Sequence, residues 1–288
     1  MYKMEENEIG QFIPLHYHFQ MLADTSRMTA FREAIEKVVT PQLKVADLGS
    51  GTGVLSFHAA KRGAKVWAVE YNPALVSVSR KFITENGVSD RVQIVQAEAS
   101  SWLPPEPVDV VICEMLHSAL LREKQVQVIS SFRDAHQERF GTVPLMLPFA
   151  TLLALQPVWQ PYDFDGYHAP VPLFQSPYAM ADDCIPCGEP AVYKILEYEN
   201  ARIEAFASEV EFSFQNDSRV NALRFITKSI LSIDLQEGRT VDWHSQHLIL
   251  PLAAPLQMRA GETLRVRFGY TPGDSIEALN NAIEIATA

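Results

Sequence analysis

Val45-Ala46-Asp47-Leu48-Gly49-Ser50-Gly51-Thr52-Gly53-Val54-Leu55-Ser56 decides how this chain folds. An apolar run ends in an acid two residues before the first glycine, three glycines alternate, and a helix-like segment follows. A strand that runs into a glycine turn and then a helix N-terminus brings bare backbone close to a ligand. The dinucleotide spacing G-x-G-x-x-G fails here, because the position three after Gly51 is Val54. The plain alternative is a tight strand-helix turn that binds nothing.

Working outward, Thr25 to Val39 carries apolar residues at helical spacing (Met28, Phe31, Ile35, Val38), and Pro41 stops that helix. Lys44 to Leu48 reads as a short buried strand and Leu55 to Arg62 as a helix closed by Gly63. Lys65 to Glu70 is a second strand, Pro73 opens a helix that Asn86-Gly87 closes, and Arg91 to Gln96 and Val108 to Cys113 are strands three and four. Strands alternating with helices predict an α/β fold, a Rossmann-like doubly wound parallel sheet. Ligands in such sheets sit at the C-terminal strand ends. Asp47, Glu70, Glu98 and Glu114 all fall at or just beyond those ends.

The texture changes after about residue 143. Prolines crowd in from Pro157 to Pro190, and later segments alternate like strands: Glu209 to Phe214, Val220 to Leu235, Gln246 to Leu252 and Thr263 to Phe268. These predict a following antiparallel β domain, a barrel or sandwich. The expected organisation is a helical segment over residues 1–40, a ligand-binding domain over 41–142 and a β domain over 143–288.

Of the 288 residues, 47% are hydrophobic and 20% charged, and no apolar run reaches the 18 residues of a membrane span. The acidic N-terminus is not a secretory signal. Three cysteines argue against a disulfide framework and fit a reducing cytoplasm. The net charge of -11 disfavours nucleic acid and suits a cationic substrate, although many soluble proteins are acidic for solubility alone. Cys184-Ile185-Pro186-Cys187 would need two further ligands to hold zinc, so no metal is expected.

The pattern D-x-G-x-G-x-G resembles motif I of class I S-adenosylmethionine (SAM) methyltransferases. That resemblance implies SAM as cofactor and S-adenosylhomocysteine (SAH) as product. Asp47, Gly49, Ser50, Gly51 and Gly53 would form the floor for the amino-acid tail, with loop amides facing it. Glu70, with Tyr71 beside it, would hold the ribose diol, and Glu98, Ala99 and Ser100 lie where the adenine edge is bound, with Glu98 and Ser100 both open as its contact.

His18-Phe19-Gln20-Met21-Leu22-Ala23-Asp24-Thr25-Ser26-Arg27 resembles the H-x-x-M-L-x-D-x-x-R helix of the protein arginine methyltransferases. The resemblance implies that Arg27 pairs with the SAM carboxylate while His18 and Met21 pack on the cofactor. Glu114 and Glu123, nine residues apart around a loop, are similar to that family's double-E hairpin, which clamps a guanidinium. Val241 to Gln246 stands where the family has T-H-W-x-Q, and Trp243 is expected to pack in the core. The departures fall on the acceptor side. W-M-G-Y is replaced by Met115-Leu116-His117-Ser118. The family's active-site histidine is Asp242, which would face Asp24 unless His244 or His117 supplies a cation. The Y-F-x-x-Y signature is replaced by Phe12 to Tyr17, and the proline-rich 157–190 stretch argues against the family's helical dimerisation arm, leaving homodimerisation open.

The expected function is transfer of a methyl group to a cationic nitrogen, an arginine or guanidino group of a protein or peptide. The alternatives are a small-molecule or peptide natural-product methyltransferase with a different acceptor, and a non-catalytic SAM-binding regulator.

Overall fold

The computed structural model describes residues 13–178 and 184–288, so residues 1–12 of the expected N-terminal segment lie outside the described residues. Two helices come first, α1 (Leu15–Ala23) and α2 (Thr25–Val38). Asp24 separates them and caps the second, its Oδ1 accepting from Arg27 N at 2.9 Å. Phe31, Ala34 and Ile35 give α2 its buried face.

Five strands form one parallel sheet: β1 (Lys44–Leu48), β2 (Lys65–Glu70), β3 (Val92–Gln96), β4 (Val110–Cys113) and β5 (Leu145–Leu147). Their order is β3-β2-β1-β4-β5. Helices α3 (Val54–Lys61), α4 (Pro73–Glu85) and α5 (Gln125–Phe140) fill the connections. β2 is buried at every position from Val66 to Glu70, as a strand covered on both faces must be. The chain winds outward one way through β2 and β3, then returns to β4 on the other side of β1. The direction reverses between β1 and β4, and ligands of open α/β sheets bind in the crevice at that point. Leu48 and Cys113 are paired across it, so Gly49 and Glu114 leave the sheet side by side.

α5 has no clear apolar period. Its buried face mixes Val126, Val128, Ile129 and Phe132 with Gln125, Ser130, Arg133 and His136. Each of these polar groups is satisfied from outside the helix. Arg133 Nη1 donates to the carbonyls of Glu199 and Ala201 at 3.1 and 2.6 Å, and His136 Nε2 accepts from Val108 N at 3.0 Å.

The second half is antiparallel. β6 (Ala150–Trp159) leads into a small hairpin of β7 (Asp163–Phe164) and β8 (Tyr167–His168). β9 (Leu173–Gln175), β10 (Ile185–Pro186), β11 (Ala191–Glu197) and β12 (Phe206–Ser213) follow. Then come β13 (Ser218–Asp234), β14 (Arg239–His244), β15 (His247–Met258) and β16 (Thr263–Tyr270), with α6 (Ile276–Asn281) and β17 (Glu284–Thr287) last. One sheet runs β10-β6-β13-β15-β9, with β11 on β6 and β14 on β13; the other is β12-β16-β17. Leu155, Leu223, Phe225 and Leu250 point into the shared core, where the Phe225 and Phe268 rings meet edge to face at 5.5 Å. The β half is therefore built from two packed sheets. Between residues 157 and 190 the described residues contain no helix. α2 rests on β14 through the Phe31 and Trp243 rings, 6.1 Å apart, which places Trp243 in the core.

Candidate active site

The glycine loop after β1 is pressed from three sides. Gly49, Gly51 and Gly53 all have positive φ, at 73°, 53° and 82°. A Cβ on Gly49 would lie 2.9 Å from Met115 Sδ, and one on Gly51 2.9 Å from His18 Cε1. One on Gly53 would meet Ser79 Oγ at 2.6 Å. Only glycine supplies both this handedness and this clearance. Four of the loop amides expected to face a ligand are bonded within the protein instead. Gly49 N and Ser50 N both donate to Val69 O at 2.9 Å, Gly51 N to Glu70 Oε2 at 2.9 Å and Gly53 N to Ser50 O at 2.8 Å. The tightness of the turn consumes these four amides.

Asp47 lies beneath the loop, 1% exposed, and accepts from Ser56 Oγ at 2.5 Å. Burial pushes its carboxyl up to about 7, with the Ser56 bonds opposing. Glu70 ends β2 with both oxygens placed: Oε2 holds Gly51 N, and Oε1 holds Asn72 N at 2.7 Å. Each oxygen keeps a lone pair for a further donor. Tyr71 follows it, half exposed, on the cavity rim. Glu98 and Ala99 line the same cavity; Ser100 does not, and its Oγ donates to Glu98 Oε1 at 3.2 Å.

Across the cavity stands Arg27, 7% exposed. Its Nη2 donates to Glu114 Oε2, and its Nη1 reaches Met21 O at 3.3 Å. The guanidinium lies over the Phe31 ring, 5.6 Å from its centroid. Burial works against the Arg27 charge, and the Glu114 carboxylate outweighs it, so its pKa rises.

Glu123 shares this wall, half-buried. Desolvation first and the Glu114 charge second push its carboxyl up to about 8, so it holds a proton at neutral pH. The loop between the two glutamates is anchored at both ends. At its base Gln125, 1% exposed, accepts from Met115 N at 2.8 Å and donates to Cys113 O at 2.7 Å. Ala119, Leu120 and Arg122 adopt left-handed backbone, at φ 56°, 57° and 61°. Such strain persists only where the surroundings enforce it. Ala119 N donates to Thr227 Oγ1 at 2.7 Å, Ser118 Oγ to Gln246 O at 2.5 Å and Arg122 N to Asp274 O at 2.9 Å. The β half thus shapes the acidic loop.

Three buried polar atoms on this cavity's lining residues lack a partner: His18 Nε2, Arg27 Nε and Ser50 Oγ. Unpaired polar groups are costly, and their convergence here fits a polar ligand. His18, Met21, Arg27, Asp47, Gly49, Ser50, Gly51, Glu70, Tyr71, Glu98, Ala99, Glu114 and Glu123 all line this cavity; Gly53 and Ser100 do not.

A family model described as a methyltransferase domain matches residues 45–138, which run from β1 through most of α5. Residues 45–138 thus carry a methyltransferase domain, and the chain resembles the class I SAM-dependent protein arginine methyltransferases. An uncharacterised protein of Methanocaldococcus jannaschii is 39% identical over 115 residues, 40% of this chain and 44% of that protein. The arginine N(omega)-methyltransferase of Streptomyces achromogenes subsp. streptozoticus is 27% identical over 285 residues, covering 88% of this chain and 76% of that protein. Two solved structures share the fold. The Trypanosoma brucei PRMT1 enzyme–prozyme heterotetrameric complex with AdoHcy superposes with a TM-score of 0.73 at 20% identity, over 94% of this chain and 96% of that one. Arabidopsis thaliana protein arginine methyltransferase 10 gives 0.74 at 17%, over 91% and 89%.

Asp242 has its own cation partner. Lys228 on β13 bonds its Oδ2, so neither His244 nor His117 supplies the expected cation. Burial, and after it Lys228, lowers the His244 pKa, and burial takes His117 to about 4. The His117 ring packs edge-on to Phe174 at 5.3 Å. Gln125 and Lys228 had no motif to announce them. Cys113 is fully buried, and burial raises its thiol pKa. Among the described residues no three His, Cys, Asp or Glu side chains converge to hold a metal, and no helix is long and apolar enough to cross a membrane.

Proposed function

We propose that this methyltransferase methylates a guanidino nitrogen, using Arg27 and Glu70 to hold the donor and Glu114 with Glu123 to hold the acceptor. The observation that carries this reading is the pair of carboxylates, Glu114 and Glu123, facing one cavity beside Arg27. Two carboxylates match the planar fork of donors on a guanidinium. Residues before 41 would cover the donor, 41–142 would bind it and 143–288 would complete the acceptor side.

SAM, when bound, supplies an electrophilic methyl group on a sulfonium. Arg27 would hold its carboxylate, Glu70 its ribose hydroxyls, Glu98 and Ala99 the adenine, and His18 and Met21 would cover it. Glu114 and Glu123 would fix one nitrogen of the acceptor in line with the methyl, and alignment is the main demand of such a displacement. The methylated group sheds one proton, and Glu123, whose surroundings favour the protonated form, is the carboxylate suited to take it.

The similarity to a relative named for arginine, spanning 88% of this chain, supports a second acceptor, free arginine or another small guanidino compound. A protein or peptide acceptor, the cytoplasm as the place of action and a homodimer are consistent with the same site. Incubation with labelled SAM and, separately, an arginine-rich peptide, free arginine and cell extract distinguishes the acceptors. Label on neither guanidino acceptor, with label on another nitrogen or oxygen in the extract, would remove the guanidinium assignment.

A further inference from the structure

We propose that residues Phe174 to Tyr178 are an acceptor-size filter: they keep protein chains away from Glu114 and Glu123 and admit a free guanidino compound. This rests on the acceptor being a guanidino group, and it adds what kind of molecule carries that group.

The segment touches the elements that border the two carboxylates. β9 pairs with the start of β15, Phe174 opposite Leu248 and Gln175 opposite His247. The neighbouring Gln246 offers its carbonyl to Ser118 Oγ of the acidic loop. The Phe174 ring packs edge-on to His117 of that loop at 5.3 Å. At the other end of the segment, the Tyr178 hydroxyl shares a hydrogen bond with Ser26 Oγ at 2.7 Å. The next residue of α2 is Arg27, the partner of Glu114. The chain from 174 to 178 therefore spans from the acidic loop to the start of α2, the same two parts of the site that the Arg27–Glu114 pair joins.

The span is stiff. Sheet pairing fixes its first two residues. Pro177 has its φ locked, and Ser176 before it is confined to extended backbone. Ser176 Oγ also accepts from Tyr178 N at 3.2 Å. Tyr178 is 67% exposed, so its ring adds little to any core. What the ring does is occupy the surface beside Ser26. An arginine within a protein reaches the two carboxylates only if the main chain on both sides of it lies along the rim. Extended chains stand about 4.8 Å apart even where they pair edge to edge, and the 174–178 span takes that room between the loop and α2. Free arginine needs no such track, because only its guanidinium and methylene stem must enter.

The test supplies labelled SAM with free arginine and, separately, with a cell extract divided by ultrafiltration into small molecules and proteins. Wild-type enzyme is expected to label free arginine and the small-molecule fraction. Tyr178→Ala should label the protein fraction about tenfold more than wild type does, the scale of a single pocket contact in specificity. Its kcat/KM for free arginine should stay within about threefold, as for other exposed substitutions. The double variant Pro177→Gly/Tyr178→Ala, which also loosens the backbone, should gain further on proteins. Wild-type label found mainly in proteins overturns the filter and, where it sits on arginine residues, leaves the guanidinium assignment standing. No gain in protein labelling by either variant also overturns the filter. Label confined to a small acceptor with no guanidino group removes the guanidinium assignment and supports the filter.

Discussion

Arg27 Nη2 donates to Glu114 Oε2 across 87 positions of sequence, joining the capped start of α2 to the end of β4. This contact closes the cavity at the sheet's switch point and leaves Glu123 as the unpaired acid of the wall. Because only Glu114 has an ionic partner in the free enzyme, replacing the two carboxylates should have different consequences. Glu123→Gln is expected to leave SAH affinity within about threefold of wild type. It should lower kcat/KM for the acceptor by about 100-fold, the cost of removing one desolvated partner of a charge. Methyl-transfer kinetics alongside SAH titration check this. Full activity in Glu123→Gln would show that the second carboxylate does not hold the acceptor.

The Glu123 carboxyl, raised from 4.5 to about 8, gives acceptor binding a pH dependence of known sign. The neutral form dominates below that value and must ionise to hold a cation. The KM for a guanidino acceptor should therefore fall by about tenfold per unit as pH rises towards 8, and level off above it. Stability runs the other way. A carboxyl whose folded pKa is raised binds its proton more tightly in the folded state, so its contribution is fully present below about 4.5. It is lost as pH rises through about 8. Asp47, raised to about 7, adds to the same trend over a lower window. Denaturant unfolding of the ligand-free enzyme should show stability falling from pH 5 to 8, with a shallower fall in Glu123→Gln.

Gly51 is where the loop and α1 meet. Alanine there would place Cβ 2.9 Å from His18 Cε1, at a φ of 53°. The left-handed backbone costs about 1–2 kcal/mol, and the clash displaces the imidazole as well. Gly51→Ala should weaken SAH binding by about tenfold or more while the far-ultraviolet spectrum is unchanged. His18→Ala in the same background should recover part of that loss, because the two changes share one contact. Additive effects in the double-mutant cycle would show that His18 and Gly51 do not form the cofactor wall together.

How much of this was legible follows from where each signal sits. β1, β2 and β4 are buried on both faces, so they stand out as unbroken apolar runs. The acids that follow are conspicuous because each ends such a run. α5 was illegible because Gln125, Ser130, Arg133 and His136 interrupt its buried face, and their partners lie outside the helix, those of Ser130 and Arg133 as far along the chain as residues 199–201. The nine-residue spacing of Glu114 and Glu123 suggested a shared site. Nothing local indicated that Ala119, Leu120 and Arg122 turn left-handed, since Thr227, Gln246 and Asp274 impose that from the β half. Lys228 answers Asp242 only because β13 and β14 pair in register, a relation no linear motif encodes. A glycine turn likewise shows that backbone comes close, not which of its groups are already spent.

Gln125 offers the sharpest test of the acidic loop's construction. Its side-chain amide spans Met115 N and Cys113 O, closing the loop on either side of Glu114 from the first turn of α5. Gln125→Leu keeps the volume but leaves a buried N–H and a buried carbonyl unpaired, at about 1–3 kcal/mol each. The unfolding free energy should drop by about 2–4 kcal/mol, somewhat less than the sum if the loop relaxes towards water. That relaxation would swing Glu114 away from Glu123, so acceptor kcat/KM should fall more steeply than SAH affinity. Gln125→Glu separates the two bonds. It can still accept from Met115 N, but it sets a second acceptor against Cys113 O. Its stability should lie between wild type and Gln125→Leu, and should recover as pH falls and the glutamate gains a proton to donate. A Gln125→Leu enzyme with wild-type acceptor kinetics would mean that the strained segment pinned by Thr227, and not the amide at the base, positions the two glutamates.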